Sequence, residues 1–194
     1  ENLIKKNGLQ DQVTILKKDF RELEGQFDKL VSIEMIEAIG HGLYKTFFQK
    51  CGQLLKPEGL LAIQAITITD NLFHESKDFI DFIKQYIFPG SCIPSISALC
   101  SAASSSDIKL FHLEDITPHY ARTLKEWRTN FLQNKSRVKN LGFTNPFIRL
   151  WLFYLCYCEG GFIERQIGNV KMVFTKPLCR RDPILPALET VGQN

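Results

Sequence analysis

The stretch LVSIEMIEAIGHGLYKTFFQKCGQLLKPEGLLAIQAI, residues 30–66, decides the fold class. Its first residues, 30–33, form a short apolar run that predicts a strand. Its last residues, 60–66, form a nearly continuous apolar run that is typical of a strand covered on both faces. Between the runs, four residues recur at helical spacing: Leu43, Phe47, Cys51 and Leu54. Residues 56–59 (Lys-Pro-Glu-Gly) are expected to end that helix. Strand, helix and strand with short connections form a βαβ unit, so the sequence predicts an α/β fold.

The flanking sequence predicts further elements. Strands are predicted at residues 13–16, 108–113 and 170–174, and helices at residues 71–87, 96–103, 120–139 and 147–165. The stretches 71–107 and 118–166 are much longer than ordinary connections. We therefore expect them to form a helical lid over the carboxyl ends of the strands, inserted after the third strand. We expect residues 1–177 to form a single domain and residues 178–194 a tail.

The composition excludes several classes of protein. The 194 residues are 44% hydrophobic and 23% charged with a net charge of +3, which is typical of a globular domain without a basic nucleic-acid-binding arm. The most apolar stretch, residues 148–158, is too short to span a bilayer, and the first residues show no secretory signal. We expect a cytoplasmic chain with free thiols and no nucleic-acid partner. Cys156 and Cys158 lack further ligands, so we expect no metal site.

Polar residues at the carboxyl ends of the predicted strands are candidates for chemistry, because open α/β sheets bind ligands there. Asp19 is either a solvated turn residue or, beside Phe20, an acceptor for an adenine that stacks on the ring. Glu37, three residues after Glu34, is either exposed at a helix start or held by hydrogen bonds for a purpose. Gln64 interrupts an apolar run, so its amide bonds either to the protein or to a ligand.

Aromatic residues recur at helical spacing on the last two predicted helices. They are Tyr120, Trp127 and Phe131 on the first helix and Trp151, Phe153, Tyr154 and Tyr157 on the second. Such stripes are usually part of a hydrophobic core. Aromatic faces also stabilise a nearby cation by about 0.5 to 2 kcal/mol, so a site in which positive charge develops is the alternative.

Four motifs, in this order, carry a resemblance to a known family: QFDKLVSIEMIEAIG (26–40), KQYIFPG (84–90), PHYARTL (118–124) and YLCYCE (154–159). With them the sequence resembles the cyclopropane-fatty-acyl-phospholipid synthases and the related mycolic acid cyclopropane synthases over about residues 1–177. The resemblance implies a class I S-adenosylmethionine methyltransferase fold with a Rossmann-like sheet. It also implies transfer of a methylene from S-adenosylmethionine to a cis double bond of a phospholipid acyl chain.

The resemblance implies a mechanism in which the alkene attacks the sulfonium methyl, a carbocation forms, and a bound bicarbonate removes a proton so that the ring closes. Glu37 matches the glutamate that holds bicarbonate, Tyr154 matches its tyrosine donor, and the backbone near Ile66 gives a further contact. Gln64 stands where well-known members have a histidine, so its amide is expected to donate instead. The pocket for the carbocation is assigned to Tyr120, Trp151, Phe153 and Ile66.

The resemblance also implies the cofactor contacts. Asp19 and Phe20 match the pair that binds the adenine, and Ile33 and Glu34, at the end of the second strand, are assigned to the cofactor as well. The Gly-rich loop of the family and the acidic residue that binds the ribose have no counterpart here. We therefore expect an N-terminally truncated form of the fold, comprising its carboxyl-terminal half and the lid, that binds the cofactor weakly or not at all.

Two other functions fit the same residues. One is a fatty-acid C-methyltransferase that gives a methyl or methylene branch, and the other is a catalytically silent fragment. The expected partners are phospholipid acyl chains at the inner face of the membrane, where the chain would be peripheral, and a homodimer is one option for its assembly. Five basic residues would contact anionic headgroups or simply form a solvated face: Lys125, Arg128, Lys135, Arg137 and Lys139.

Overall fold

The computed structural model describes residues 1–184, and a four-stranded mixed sheet lies at its centre. The strands are β1 (Phe27–Ile33), β2 (Leu55–Ile68), β3 (Lys109–Asp115) and β4 (Ile167–Thr175), in the order β1-β2-β4-β3. β1 and β2 run parallel, and β4 runs antiparallel to β2 and β3. The predicted α/β class is confirmed, while residues 185–194 of the predicted tail lie outside the described residues.

Helices surround this sheet. They are α1 (Asn2–Lys6), α2 (Tyr44–Leu54), α3 (Asp70–Ser76), α4 (Phe82–Tyr86), α5 (Ile96–Ala103), α6 (Thr117–Gln133), α7 (Lys135–Asn140) and α8 (Asn145–Ile163). Within residues 1–184, no helix combines the length and the apolar character that crossing a bilayer requires. The same residues contain no cluster of three or more His, Cys, Asp or Glu side chains that could hold a metal ion.

The main core lies between one face of the sheet and helices α2 and α5. Phe48 of α2, Leu99 of α5 and Met172 of β4 are fully buried at its centre. The opposite face is less covered, because no helix of residues 1–184 packs over β1 on that side, and Val31 is 68% and Ile33 60% exposed. The expectation of two covered faces, made for residues 60–66, is confirmed on β2, where each of these residues is buried or half-buried.

Helices α6 and α8 cover the second face of the sheet only at the carboxyl end of β2. They pack along each other, and Leu124, Leu155 and Phe162 form a smaller second core between them. Arg128 of α6 donates two hydrogen bonds, of 2.7 and 3.1 Å, to the carboxylate of Glu159 on α8. Helices α6 and α8 lie where the sequence predicts a lid. Helix α5, also expected in the lid, packs instead in the main core.

Two predicted helices are interrupted. The helix predicted at residues 71–87 is split into α3 and α4, because the ammonium group of Lys84 binds the carbonyls of Ser76, Lys77 and Phe79 at the end of α3. The helix predicted at residues 120–139 is interrupted at Asn134, whose side chain donates to the carbonyl of Asn130 where α6 ends.

Two smaller predictions also differ from the structure. Residues 13–16 are not a strand, because in the described chain no neighbouring strand offers them backbone hydrogen bonds. The strand predicted to begin at residue 60 begins earlier, because residues 56–59, which follow the end of α2 as predicted, belong to it. β2 begins at Leu55, and Gly59 lets its backbone lie close to that of Asp28 on β1.

Candidate active site

Glu34 lies directly after β1 and joins four elements of the fold. Its Oε1 accepts hydrogen bonds from Gln64 Nε2 on β2 and Asn169 Nδ2 on β4, both at 2.9 Å. Its Oε2 accepts from the hydroxyl of Tyr120 on α6 at 2.7 Å. The backbone N–H of Glu34 donates to the carbonyl of Gln64 at 2.8 Å, and its φ of +49° is left-handed. These contacts place the carboxylate at the carboxyl ends of β1 and β2.

Glu37 is held in the turn that follows β1. Its carbonyl accepts from the N–H of Cys92 at 2.8 Å, and the carbonyl of Cys92 accepts from the buried hydroxyl of Tyr44 at 2.6 Å. One carboxylate oxygen, Oε1, accepts from the N–H of Ile66. The other oxygen, Oε2, is buried and has no partner in the described residues. Burial raises the pKa of Glu37 to about 6, against the lowering effect of its backbone hydrogen bonds, and the nearby charge of Glu34 raises this pKa further.

The aromatic side of the site is formed by α6 and α8. Tyr120, Trp151 and Tyr154 pack with Ile66 in the second core, and the rings of Trp151 and Tyr154 lie 5.0 Å apart. Burial raises the pKa of Tyr154 to about 12, so its hydroxyl keeps its proton at neutral pH. In residues 1–184 this hydroxyl makes no hydrogen bond, and it is therefore available to a ligand.

Phe153 does not join the other predicted pocket residues. It lies on another face of α8, is 53% exposed, and packs edge-to-face on Phe82 of α4 with ring centres 4.7 Å apart. The helical period explains the difference, because positions 151 and 154 share a face of a helix that position 153 does not. Ile33, predicted as a cofactor contact, is largely exposed on the open face of the sheet.

Asp19 and Phe20 lie in a separate groove next to the Glu37 turn. The groove is lined by Thr14, Leu16, Lys18, Asp19, Phe20, Arg21, Leu23, Met35, Ala38, Ile39 and Leu43. Arg21 donates from Nε and Nη2 to the carboxylate of Asp19, and these hydrogen bonds lower the pKa of Asp19 to about 2. Phe20 packs edge-to-face on Phe47 at 5.9 Å. Asp19 and Phe20, the residues predicted to bind the adenine, thus line the same groove. The carboxylate of Asp19 is ionised and already accepts hydrogen bonds from Arg21.

Asn169 is the site residue that the sequence analysis missed. It is fully buried, donates to Glu34, and its backbone N–H donates to Thr117 Oγ1 at 3.0 Å. Its Oδ1 is buried without a partner in the described residues. A buried amide next to the apolar run 170–174 is the same signal that identified Gln64. It was not recognised because the strand was predicted to begin only at residue 170.

In the part of the chain that the structure describes, the site has carboxylates without a cationic partner and buried acceptors without a donor. The salt bridges of residues 1–184 include neither Glu34 nor Glu37. The buried side-chain atoms of the described residues that lack a partner are both acceptors, Glu37 Oε2 and Asn169 Oδ1. Such an arrangement can attract a positive charge and accept a proton, with an aromatic wall on one side.

Comparisons with known proteins agree with this architecture. The family model of mycolic acid cyclopropane synthetase matches residues 1–172. Tuberculostearic acid methyltransferase UfaA1 of Mycobacterium tuberculosis is 37% identical over 80% of the chain, which covers 36% of that protein. Cyclopropane-fatty-acyl-phospholipid synthase of Escherichia coli K12 is 31% identical over 84% of the chain and 41% of that protein. The chain therefore spans about two fifths of the length of these relatives.

A solved structure shares the fold. Mycolic acid cyclopropane synthase CmaA1, complexed with SAH and CTAB, superimposes with a TM-score of 0.78 at 25% identity. The superposition covers 90% of this chain and 66% of that one. The predicted class I methyltransferase type of sheet is confirmed by this likeness.

Proposed function

We propose, because this chain belongs to the mycolic acid cyclopropane synthetase family, that the complete protein is an S-adenosylmethionine-dependent methyltransferase. It transfers a one-carbon unit to a cis double bond of a phospholipid acyl chain, and ring closure gives a cyclopropane. The observation that carries the proposal is the meeting of two carboxylates, Glu34 and Glu37, with the aromatic wall of Tyr120, Trp151 and Tyr154. Negative charge beside aromatic faces suits a reaction in which a carbocation develops.

The aromatic wall has two effects on that carbocation. The ring faces of Tyr120, Trp151 and Tyr154 attract it by about 0.5 to 2 kcal/mol each. Together with Ile66, the rings also exclude water, which would otherwise trap the cation before the ring closes. The carboxylate of Glu37, held by the N–H of Ile66, adds electrostatic stabilisation from the turn after β1.

The groove at Asp19 and Phe20 supports the assignment of the cofactor. Asp19 offers a carboxylate beside an aromatic ring, and its Oδ2 accepts only one hydrogen bond, from Arg21, so it can accept another from an adenine amino group. Met35 and Ala38 continue the groove to the turn that carries Glu37. When bound, S-adenosylmethionine supplies the methyl group on a positively charged sulfur.

Bicarbonate, which the resemblance implies, does not fit the hydrogen bonding of this site. Two of the groups expected to bind it are already engaged, since Gln64 donates to Glu34 and the Ile66 N–H donates to Glu37. The Tyr154 hydroxyl is the remaining donor of the expected set. A further anion would also be repelled by two carboxylates that have no salt-bridge partner in the described residues. We therefore assign no step to bicarbonate.

A lipid surface is the proposed source of the acyl chain, with the protein peripheral to the inner face of the membrane. Helix α7 carries three basic residues, Lys135, Arg137 and Lys139, and is followed by Leu141 and Phe143, which are 77% and 46% exposed. Rings then follow one another toward the site. The centroid distances are 4.4 Å for Phe143–Phe147, 5.8 Å for Phe147–Trp151 and 5.0 Å for Trp151–Tyr154. This row would guide an apolar chain from the headgroups to the carboxylates.

A methyl or methylene branch is the second candidate product. The 37% identity to tuberculostearic acid methyltransferase UfaA1 favours it. Both products begin with the same carbon–carbon bond. Direct proton loss from the added methyl group closes the ring. If a hydride first shifts from the methylated carbon to the neighbouring cationic carbon, proton loss from the methyl group instead leaves a methylene branch, and a saturated methyl branch further requires reduction of that alkene by a hydride donor.

Gas chromatography with mass spectrometry of membrane fatty acids tests the proposal. Cells expressing the complete protein should contain a fatty acid one CH2 unit heavier than its unsaturated precursor and without an alkene. The Glu37→Gln variant, produced at the same level, should give far less of it. The same mass gain with a retained alkene would establish the branched product instead. Absence of any new lipid, together with no binding of S-adenosylmethionine, would contradict the enzymatic proposal and favour a silent fragment.

A further inference from the structure

Three side-chain donors of the site converge on Glu34. Gln64 and Asn169 donate to one oxygen of its carboxylate and Tyr120 to the other, at 2.7 to 2.9 Å. All three donors are uncharged, so they hold and orient the carboxylate without neutralising it. Gln64, which is one of the donors expected to bind a small anion, is thereby engaged. The carboxylate of Glu34 therefore competes with such an anion for this donor.

We propose that Glu34 is the base of the reaction and takes the role that the resemblance gives to bicarbonate. This inference rests on the proposed function. The backbone supports it, because Glu34 has a φ of +49°, a conformation that glycine adopts freely and other residues only under strain. Strain of this kind persists where surrounding contacts fix it and is concentrated at functional sites. Here the contacts come from β2, β4 and α6.

The proton transfer can be assigned to one oxygen. Oε1 of Glu34 already accepts two hydrogen bonds, whereas Oε2 accepts one, from Tyr120, and keeps a free lone pair. After the alkene has formed its bond to the methyl carbon and the carbon–sulfur bond has broken, Oε2 takes a proton from that methyl carbon. The electron pair of the broken C–H bond forms the second bond of the ring and neutralises the carbocation. Glu34 then returns its proton to solvent when the product leaves.

The Glu34→Gly variant removes the carboxylate with little disturbance of the backbone, because glycine tolerates the left-handed φ. In the complete protein we expect turnover to fall about 100-fold or more, the usual size of a general-base contribution. We expect the affinity for S-adenosylmethionine to be nearly unchanged, because the Glu34 carboxylate, which the resemblance assigns to the cofactor, is engaged by Gln64, Asn169 and Tyr120. Arg165→Gly is the matched control. Arg165 is the other non-glycine residue of the described chain with a positive φ, +53°, and it is exposed on the surface.

Bicarbonate itself provides a readout that is independent of turnover. The line width of [13C]bicarbonate in NMR should be unaffected by the wild-type protein and broadened by the Glu34→Gly variant, whose donors are released. Added bicarbonate or formate should then restore part of the variant's turnover. Glu34→Gln should be inactive and should not respond to either anion, because the amide fills the space without providing a base.

Several results would overturn the inference. They are binding of [13C]bicarbonate by the wild-type protein, a loss of wild-type turnover when carbon dioxide is removed, or full turnover of Glu34→Gly without an added anion. If circular dichroism shows that Glu34→Gly does not fold, the bicarbonate titration and the carbon dioxide removal with the wild-type protein still test whether Glu34 is the base. If the wild-type protein modifies no lipid, the proposed function fails, while the NMR titration still tests whether Glu34 excludes the anion.

Discussion

At the scale of single residues, Glu37 shows how burial sets the ionisation of a functional group. Its pKa is about 6 in the folded protein, whereas the ordinary value for a glutamate, taken for the unfolded chain, is 4.5. Between these two pH values the folded protein binds more protons at this residue than the unfolded chain does. The contribution of Glu37 to stability is therefore largest below about pH 4.5 and falls by about 2 kcal/mol as pH rises through about 6.

Glu37→Gln should remove this pH dependence, because glutamine does not titrate. We expect the free energy of unfolding of the variant, relative to wild type, to increase by about 2 kcal/mol between about pH 4 and pH 7. Urea unfolding of both proteins across that range measures the difference. Glu58→Gln, at an exposed position of β2, is the control and should run parallel to wild type. Parallel curves for Glu37→Gln as well would contradict the assigned pKa.

The same substitution should also affect the reaction. In the complete protein we expect Glu37→Gln to lower turnover about 100-fold, since the charge beside the carbocation is lost, while binding of S-adenosylmethionine changes little. Steady-state kinetics and calorimetric titration of the cofactor separate the two effects. A large loss of cofactor binding would place Glu37 in the cofactor site instead.

At the scale of elements, two glycines lead to opposite predictions. A Cβ at Gly59 of β2 would lie 2.9 Å from Leu55 Cδ2, 3.0 Å from the Lys56 carbonyl and 3.1 Å from the Asp28 carbonyl, so Gly59→Ala should destabilise the protein by about 1 to 3 kcal/mol. A Cβ at Gly160 of α8 meets open space, and Gly160→Ala should stabilise by about 0.5 to 1 kcal/mol. Urea unfolding at neutral pH checks both signs.

The sequence pattern predicts the interior of elements better than their limits. β1, α2, β2 and α8 are found where their apolar periodicity places them, because local burial dictates that periodicity. The division of α3 from α4 depends on the Lys84 ammonium, a contact between positions that the periodicity does not distinguish. Residues 13–16 have the composition of a strand but no partner in the described chain, and a pattern cannot supply one.

The candidate site is predictable to the extent that it depends on strand ends. Glu34 and Gln64 are brought together because parallel strands end at the same edge of the sheet. The contribution of Asn169 arises from an antiparallel neighbour, whose register the sequence does not reveal. Phe153 is assigned to the pocket as one of the aromatic residues of this helix, whose use in a carbocation pocket the resemblance implies, although the helical phase turns it toward Phe82.

At the scale of the whole molecule, the basic and apolar surfaces meet at α7. We expect the double substitution Lys135→Glu and Lys139→Glu to weaken binding of the complete protein to anionic phospholipid vesicles at least tenfold, since each basic residue contributes about 1 kcal/mol near such a surface. Vesicle sedimentation at low and high salt measures this effect, which salt should diminish.

A control with the same change in net charge shows whether vesicle binding depends on the surface at α7 or on the overall charge of the protein. Lys5→Glu with Lys6→Glu alters the same number of charges on α1, which carries none of the rings of the aromatic row. This control should retain most of the vesicle binding. Equal losses in both double variants would indicate that overall charge, and not the surface at α7, attracts the protein to the membrane.

The less covered face of the sheet has a practical consequence for handling the protein. In the described chain β1 pairs on one side only, and Phe27, Val31 and Ile33 are exposed along it. An apolar strand with an unpaired edge is a template on which other chains can add, as happens in aggregation. Residues 1–184 produced alone should thus be prone to precipitate, and charged substitutions at Val31 should delay the onset of turbidity.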